Sequence, residues 1–165
     1  MDGIVRAHFE HPVERVFGLV TDPAYLRRRA EAARERNVMV SADRDGTRLS
    51  IRIERDLERD MPGFMKRIFN PVNHMVDVQT WETAGEVKTS DWKVEIVGQK
   101  RIDLRGRLSL APASDGGCDY SEAFTVAVAI PLVGGRVEKY VAGETEGSMR
   151  EQIAFLRAEL ARTGG

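Results

Sequence analysis

Hydrophobic and polar positions along this chain follow a period of two, then 3.6, then two again, and finally 3.6. Residues 3–9 alternate, with Val5, Ala7 and Phe9 on one face and Arg6 and His8 on the other, which predicts a first strand. After His11-Pro12, the residues Val13, Val16, Phe17 and Val20 recur at helical spacing, with Glu14 placed to complement the positive helix end. Asp22-Pro23 repeats the start signal for a second helix, Ala24 to about Arg34, which Asn37 is expected to end. The period then returns to two. Val38 and Val40 begin a strand, Asp43-Arg44-Asp45-Gly46 reads as a turn, and Leu49, Ile51 and Ile53 alternate with charged and polar residues. Residues 60–71 break the pattern, and Phe64, Met65, Ile68 and Phe69 predict a short helix there. Val76 and Val78 resume the alternation up to Trp81, and Ala84-Gly85-Glu86 is a turn. Trp92, Val94 and Ile96 form the next dry face, followed by Ile102, Leu104, Leu108 and Leu110. The loop from Pro112 to Gly117 leads into Tyr120, Phe124, Val126, Val128 and Ile130. From Val137 to about Arg162 the period is 3.6, with Val141, Met149, Ile153, Leu156 and Leu160 near one helix face.

Strands joined by short turns pair antiparallel, and a sheet with one wet face must cover the other. The predicted class is therefore α+β: about six to seven antiparallel strands, two short helices after the first strand, and a long C-terminal helix across the sheet. Such a sheet twists and coils, so a single helix cannot meet it everywhere, and a cavity remains where they part. The helix centre, Gly143-Glu144-Thr145-Glu146-Gly147-Ser148, is small or polar. Two glycines inside a helix cost up to about 1 kcal/mol each relative to alanine. Either they leave room for a ligand or a close approach, or they mark a bend or a solvent-facing stripe.

A chain of 165 residues fits one domain, residues 1–165, and buries enough surface to need no metal or disulfide staple. The formal net charge of −1 gives no field to gather nucleic acid. Cys118 is the only cysteine, which excludes an internal disulfide and suits a reducing cytoplasm. The first residues carry no signal-peptide pattern, and no apolar run approaches the roughly 20 residues of a membrane helix. A soluble cytoplasmic protein, monomeric or homodimeric, is the expectation.

Glu122 is the outstanding candidate for chemistry. It shares parity with Tyr120, Phe124, Val126 and Val128, so a regular strand turns it toward the core, where a desolvated carboxylate suits a general acid or base. The alternatives are an arginine partner, a wet strand end beside Asp119, or a bulge. Tyr140 and Glu144, four apart on the helix, share a face and either place polar groups in the cavity or are an exposed Glu beside a half-buried Tyr. Trp81 and Trp92 suit a ligand wall and a plain core equally. Phe64, Met65 and Phe69, in segment 61–69, are either a lid with a Gly63 hinge or a plug. The candidate ligand-facing set is thus Phe64, Met65, Phe69, Trp81, Trp92, Tyr120, Glu122, Phe124, Tyr140 and Glu144. His8, His11 and His74 do not converge as zinc ligands would, and no nucleophile triad or phosphate-binding glycine loop is present, so no metal or cofactor is expected.

The opening strand, HPVERVFGLVTDPAYL, the antiparallel run and PLVGGRVEKYV before the last helix resemble the SRPBCC superfamily of START-like, helix-grip domains. Within it the chain resembles the bacterial family DUF2505. The resemblance implies a curved sheet gripping the C-terminal helix and a small hydrophobic ligand, lipid-like or polyketide-like, held between them. It leaves open two other functions: a cyclase, dehydratase or hydrolase using Glu122, and a protein-interaction module working through residues 61–69.

Overall fold

The computed structural model describes residues 1–163. Strand β1 (Asp2–Phe9) is followed by helices α1 (Val13–Val20) and α2 (Pro23–Ala32). Six strands come next: β2 (Arg36–Asp45), β3 (Arg48–Glu58), β4 (Val72–Glu82), β5 (Lys88–Ile96), β6 (Ile102–Pro112) and β7 (Cys118–Val128). Helix α3 (Gly134–Thr163) closes the chain. All seven strands form one curved antiparallel sheet in the order β1-β7-β6-β5-β4-β3-β2.

Local chemistry explains the element ends, and three differ from the sequence expectation. Helix α2 starts where the Asp22 side chain accepts from the Ala24 N–H at 3.0 Å, with Pro23 in the first turn. It stops earlier than expected, because Arg34 turns left-handed (φ 63°), while Asn37 lies inside β2 at a bulge rather than at a helix end. The β2–β3 turn is tighter than Asp43–Gly46. The strands pair up to Asp45 and Arg48, and Gly46 supplies the φ of +61° that a two-residue hairpin loop demands at its first position. The expected helix around Phe64–Phe69 is only a single 3₁₀ turn, Met65–Arg67, since Pro62 and Pro71 leave too little chain for a helical nucleus.

The inner face of the sheet carries the core. Trp81, Ile51, Leu110 and Val126 are almost fully buried, and Trp81 meets Phe17 of α1 edge-on at 5.4 Å. Helix α3 packs on β1 and β7, α2 on β2, and α1 on β6. The long helix thus grips one edge of the sheet and stands off β3–β5. Two glycines shape the floor. Gly3 pairs with Phe124 and Gly106 with Trp92 across the strands. In each case a Cβ would fall 2.3 Å from the partner's ring, so both rings lie over a missing methyl.

The two interior glycines of α3 do not face this floor. Gly143 and Gly147 lie on the exposed side, with nothing within 4 Å of where a Cβ would stand. The solvent-facing stripe is the correct reading of these positions, and room for a ligand comes from elsewhere. Gly143→Ala and Gly147→Ala are each expected to stabilise the fold by up to about 1 kcal/mol. A fall in melting temperature for either would contradict their exposure.

Two histidines tie the strands on the outside. His74 Nδ1 lies 2.7 Å from Asp56 and its Nε2 3.3 Å from Glu54. His8 lies between Asp119 at 2.9 Å and Asp115 at 2.7 Å. Hydrogen bonds donated by the imidazoles to these carboxylates raise both imidazole pKa values above the usual 6.5. The folded state therefore prefers the imidazolium, and this stabilisation is complete below pH about 6.5 and lost as pH rises through the raised values. Melting temperature is expected to decline across that window. The decline should flatten in the His8→Gln/His74→Gln double variant, and an unchanged slope would show that these pairs are not coupled to folding.

Candidate functional site

Where α3 stands off the sheet there is a cavity of about 190 Å³. Its floor comes from one inward position after another on five strands: Arg55 and Leu57 from β3, Asp77, Gln79 and Trp81 from β4, Ser90, Trp92 and Val94 from β5, Leu104 and Leu108 from β6, and Tyr120 and Glu122 from β7. Arg29 of α2 and Glu35 reach in from one side, and Tyr140, Val141, Glu144, Ser148 and Met149 of α3 form the roof. Met61 and Phe69 close one end.

Glu122 is buried on the core side of β7, as its parity indicates, and the Tyr120 hydroxyl donates to its Oε2 at 2.6 Å. Burial pushes the Glu122 carboxyl pKa up, against the pull of Tyr120 and Arg29. Burial likewise drives the Tyr120 hydroxyl well above its ordinary value. Asp77 shares the cavity, and its carboxyl is also raised by burial, more than Arg55 and Arg29 offset. The two carboxyls repel each other across the hollow. Such a pair, with Tyr120, can hold or move a proton.

The rim is polar. Arg59, just beyond β3, pairs with Glu144 and donates to Ser148 Oγ at 3.0 Å, so one side chain ties the β3–β4 connection to the middle of α3. Tyr140 stands next to this pair, its hydroxyl pKa raised by burial and by Glu144.

The structure gathers Phe69, Trp81, Trp92, Tyr120, Glu122, Tyr140 and Glu144 around one cavity. It does not bring in the other three. Met65 is fully buried in the core beneath the 3₁₀ turn. Phe64 lies outside, under the Arg136 guanidinium at 4.1 Å. The Phe124 ring turns over Gly3, toward the β1 edge. Segment 61–69 is pinned by the Gln99 side chain, which donates to the Ile68 carbonyl at 2.6 Å.

Sequence reading missed the polar floor. Val76 and Val78 lie on the outer face, where Val78 is exposed and Val76 is covered by its neighbours. Asn73, Met75, Asp77, Gln79 and Trp81 face inward instead. The signal was the shared parity of Asp77 with Trp81, and of Arg55 with Leu49, Ile51 and Ile53. Among the described residues no group of three or more His, Cys, Asp or Glu side chains is arranged to hold a metal ion. Cys118 is buried and its thiol pushed up to about 11 by burial, which makes it a packing residue rather than a nucleophile. No described helix is long and apolar enough to cross a membrane.

Solved structures share this architecture at low sequence identity. A Thermus thermophilus protein, TTHA0849, is 16% identical over 100% of both chains, with a TM-score of 0.69. The Zhui aromatase/cyclase of Streptomyces sp. R1128 is 10% identical over 98% of this chain and 94% of its own, at 0.65. A START superfamily protein of Mycobacterium smegmatis is 16% identical over 98% of this chain and 97% of its own, at 0.59. These likenesses establish a START-like helix-grip fold. No curated protein matches the sequence. The model for the family described as "Protein of unknown function (DUF2505)" matches residues 5–160, and the chain belongs to that family.

Proposed function

We propose that the protein binds a small molecule with an apolar body and a polar end in the hollow between the sheet and α3. The observation that carries this reading is the wall itself. Trp81, Trp92, Leu104, Leu108 and Met149 offer apolar surface, while Arg55 Nη1, Asn73 Oδ1, Asp77 Oδ1 and Trp92 Nε1 are sealed from solvent without a hydrogen-bond partner. Unpaired buried polar atoms cost about 1–3 kcal/mol each, and a bound polar group would satisfy them. An engineered cavity of about 150 Å³ holds benzene, so a volume of this size suits one ring with a short substituent rather than a long lipid chain. The Zhui protein, an aromatase/cyclase by name, shares the fold and lends general support to a ring-shaped ligand.

A ligand at a hundred times its Kd adds about 2.7 kcal/mol. For a chain of this size that raises the melting temperature by about 5–10 °C. Thermal shift across a library of small aromatic compounds, with native mass spectrometry of freshly purified protein, reads this directly. No carried ligand and no shift with any compound would retire the proposal.

A second reading has one observation in its favour, the buried Glu122 with Tyr120 at 2.6 Å. If the hollow also catalyses a proton transfer, Glu122→Gln abolishes turnover while ligand binding survives. An interaction surface at residues 61–69 has less to offer, because Met65 and Phe69 are turned inward and buried.

A further inference from the structure

The formal net charge of −1 hides an uneven distribution between the two ends of the sheet. Three connections lie at one end: residues 59–71 between β3 and β4, residues 97–101 between β5 and β6, and residues 129–133 between β7 and α3. The strand registers place them together, since Glu58 pairs with Val72, Met75 with Ile96 and Ile102 with Val128. Direct contacts join them into one surface. The Gln99 amide donates to the Ile68 carbonyl, the Ala129 N–H donates to the Arg101 carbonyl at 2.8 Å, and the Arg136 guanidinium in the first turn of α3 lies over the Phe64 ring. The three connections and this turn carry Arg59, Lys66, Arg67, Lys100, Arg101 and Arg136 against one acid, Asp60. Arg59 pairs with Glu144, while the other bases are exposed and have no ion-pair partner among the described residues. At the opposite end, where β2–β3, β4–β5 and β6–β7 turn, Asp43, Asp45, Glu82, Glu86, Asp115 and Asp119 outnumber Arg44, Arg48 and Lys88. The fold thus sorts its charge into a basic end and an acidic end, and such a separation orients a protein in front of a charged partner.

The basic end also presents an apolar side chain at a conformational cost. Leu132 is fully exposed and has a left-handed φ of 70°. It is the centre of a three-residue turn closed by the Val133 N–H, which donates to the Pro131 carbonyl at 2.8 Å. A γ-turn of this hand is rare and strained. Packing within the chain gains nothing from a leucine held there in water, so strain and exposure together point to a contact outside the chain. Val97, exposed in the neighbouring connection, adds to the apolar surface. We propose that this end docks on an anionic lipid surface, with the basic side chains at the headgroup phosphates and Leu132 entering the boundary of the acyl region. Basic side chains around an exposed leucine suit a membrane interface, where charge and apolar surface are met at once. Nucleic acid fits less well. Phe64 lies under Arg136 and Phe69 is buried, so neither ring is a platform for base stacking.

Co-sedimentation with vesicles reads this directly. The unaltered protein is expected to pellet with vesicles of equal parts phosphatidylcholine and phosphatidylglycerol, and to stay in solution with phosphatidylcholine alone. Binding should fade at about 1 M salt, where charges are screened beyond about 3 Å. Each basic side chain near such a surface contributes about fivefold to binding, so the Lys66→Glu/Arg67→Glu double variant should bind at least roughly tenfold more weakly. Leu132→Gly suits the positive φ, so it is expected to keep or raise the melting temperature while vesicle affinity falls several-fold. Both changes are at exposed positions, and the melting temperature checks that the fold survives. No binding to the anionic vesicles at low salt overturns the proposal. So does binding that survives the double charge reversal, or equally tight binding of duplex DNA. Unchanged affinity in Leu132→Gly overturns the insertion of that side chain.

Discussion

Trp81→Ala is expected to lower stability by about 3–5 kcal/mol, the range for removing a large aromatic side chain from a packed core. At 2–4 °C per kcal/mol for a chain of this length, the melting temperature falls by about 6–20 °C. Several roles meet in this residue. Trp81 is almost wholly buried, closes edge-on with Phe17 of α1, and donates its indole N–H to Gln79 Oε1 at 3.0 Å. Its loss therefore detaches α1 from the sheet, frees a polar side chain inside the hollow and enlarges the hollow itself. Thermal or urea denaturation measures the change. A loss below about 1 kcal/mol would mean that the site collapses around the vacancy and that Trp81 is not the link between sheet and helix.

Asp77→Leu is expected to move stability the other way, by about 1–2 kcal/mol in favour of the folded state. Its Oδ1 is sealed without a partner, and burial raises its carboxyl pKa, which marks ionisation there as unfavourable. The linkage sign follows. A carboxyl raised in the folded state destabilises the fold as pH climbs from its unfolded value near 3.8 through the higher folded one. The gain from leucine should thus be small at acid pH and full near neutrality. Arg55 keeps Glu35 as its partner, so removing Asp77 does not strand a second charge. A protein that becomes sturdier when a residue is deleted has been keeping that residue for another purpose. If Asp77→Leu is instead destabilising at pH 7, the carboxylate is already satisfied in the free protein.

Much of the fold was legible because the sheet and the last helix obey simple periods. Leu49, Ile51 and Ile53 face the core as their alternation says, and so do Trp92 and Val94. Glu122 was legible for the same reason, since its neighbours at 120, 124 and 126 are large and apolar. In strand β4 hydrophobicity does not mark the face that meets the core. An inward position beside a hollow need not be apolar, and an outward one can be, so Val76 and Val78 point to the wrong face while Asp77 and Gln79 face the cavity. The helix glycines misled in a related way, since small size does not say which side of a helix is empty. Arg55, Asn73 and Asp77 become a group only when the β3–β4 register is known, and register is a property of the paired strands rather than of either alone.

The glycine that matters to the cavity is in the sheet. Because Trp92 reclines over Gly106 and Phe124 over Gly3, neither ring projects its full height toward α3. Of the two absent methyl groups, the one on β6 bears on the chamber, because Trp92 lines it and Phe124 does not. A methyl at position 106 would lie 2.3 Å from both the indole and the Ala123 carbonyl oxygen, so the Trp92 ring and the β6–β7 backbone would both have to shift. The missing side chain at position 106 is thus part of what lets Trp92 lie against the sheet, and relatives with a bulkier residue at this point would be expected to show a shifted indole and a locally altered β6–β7 pairing.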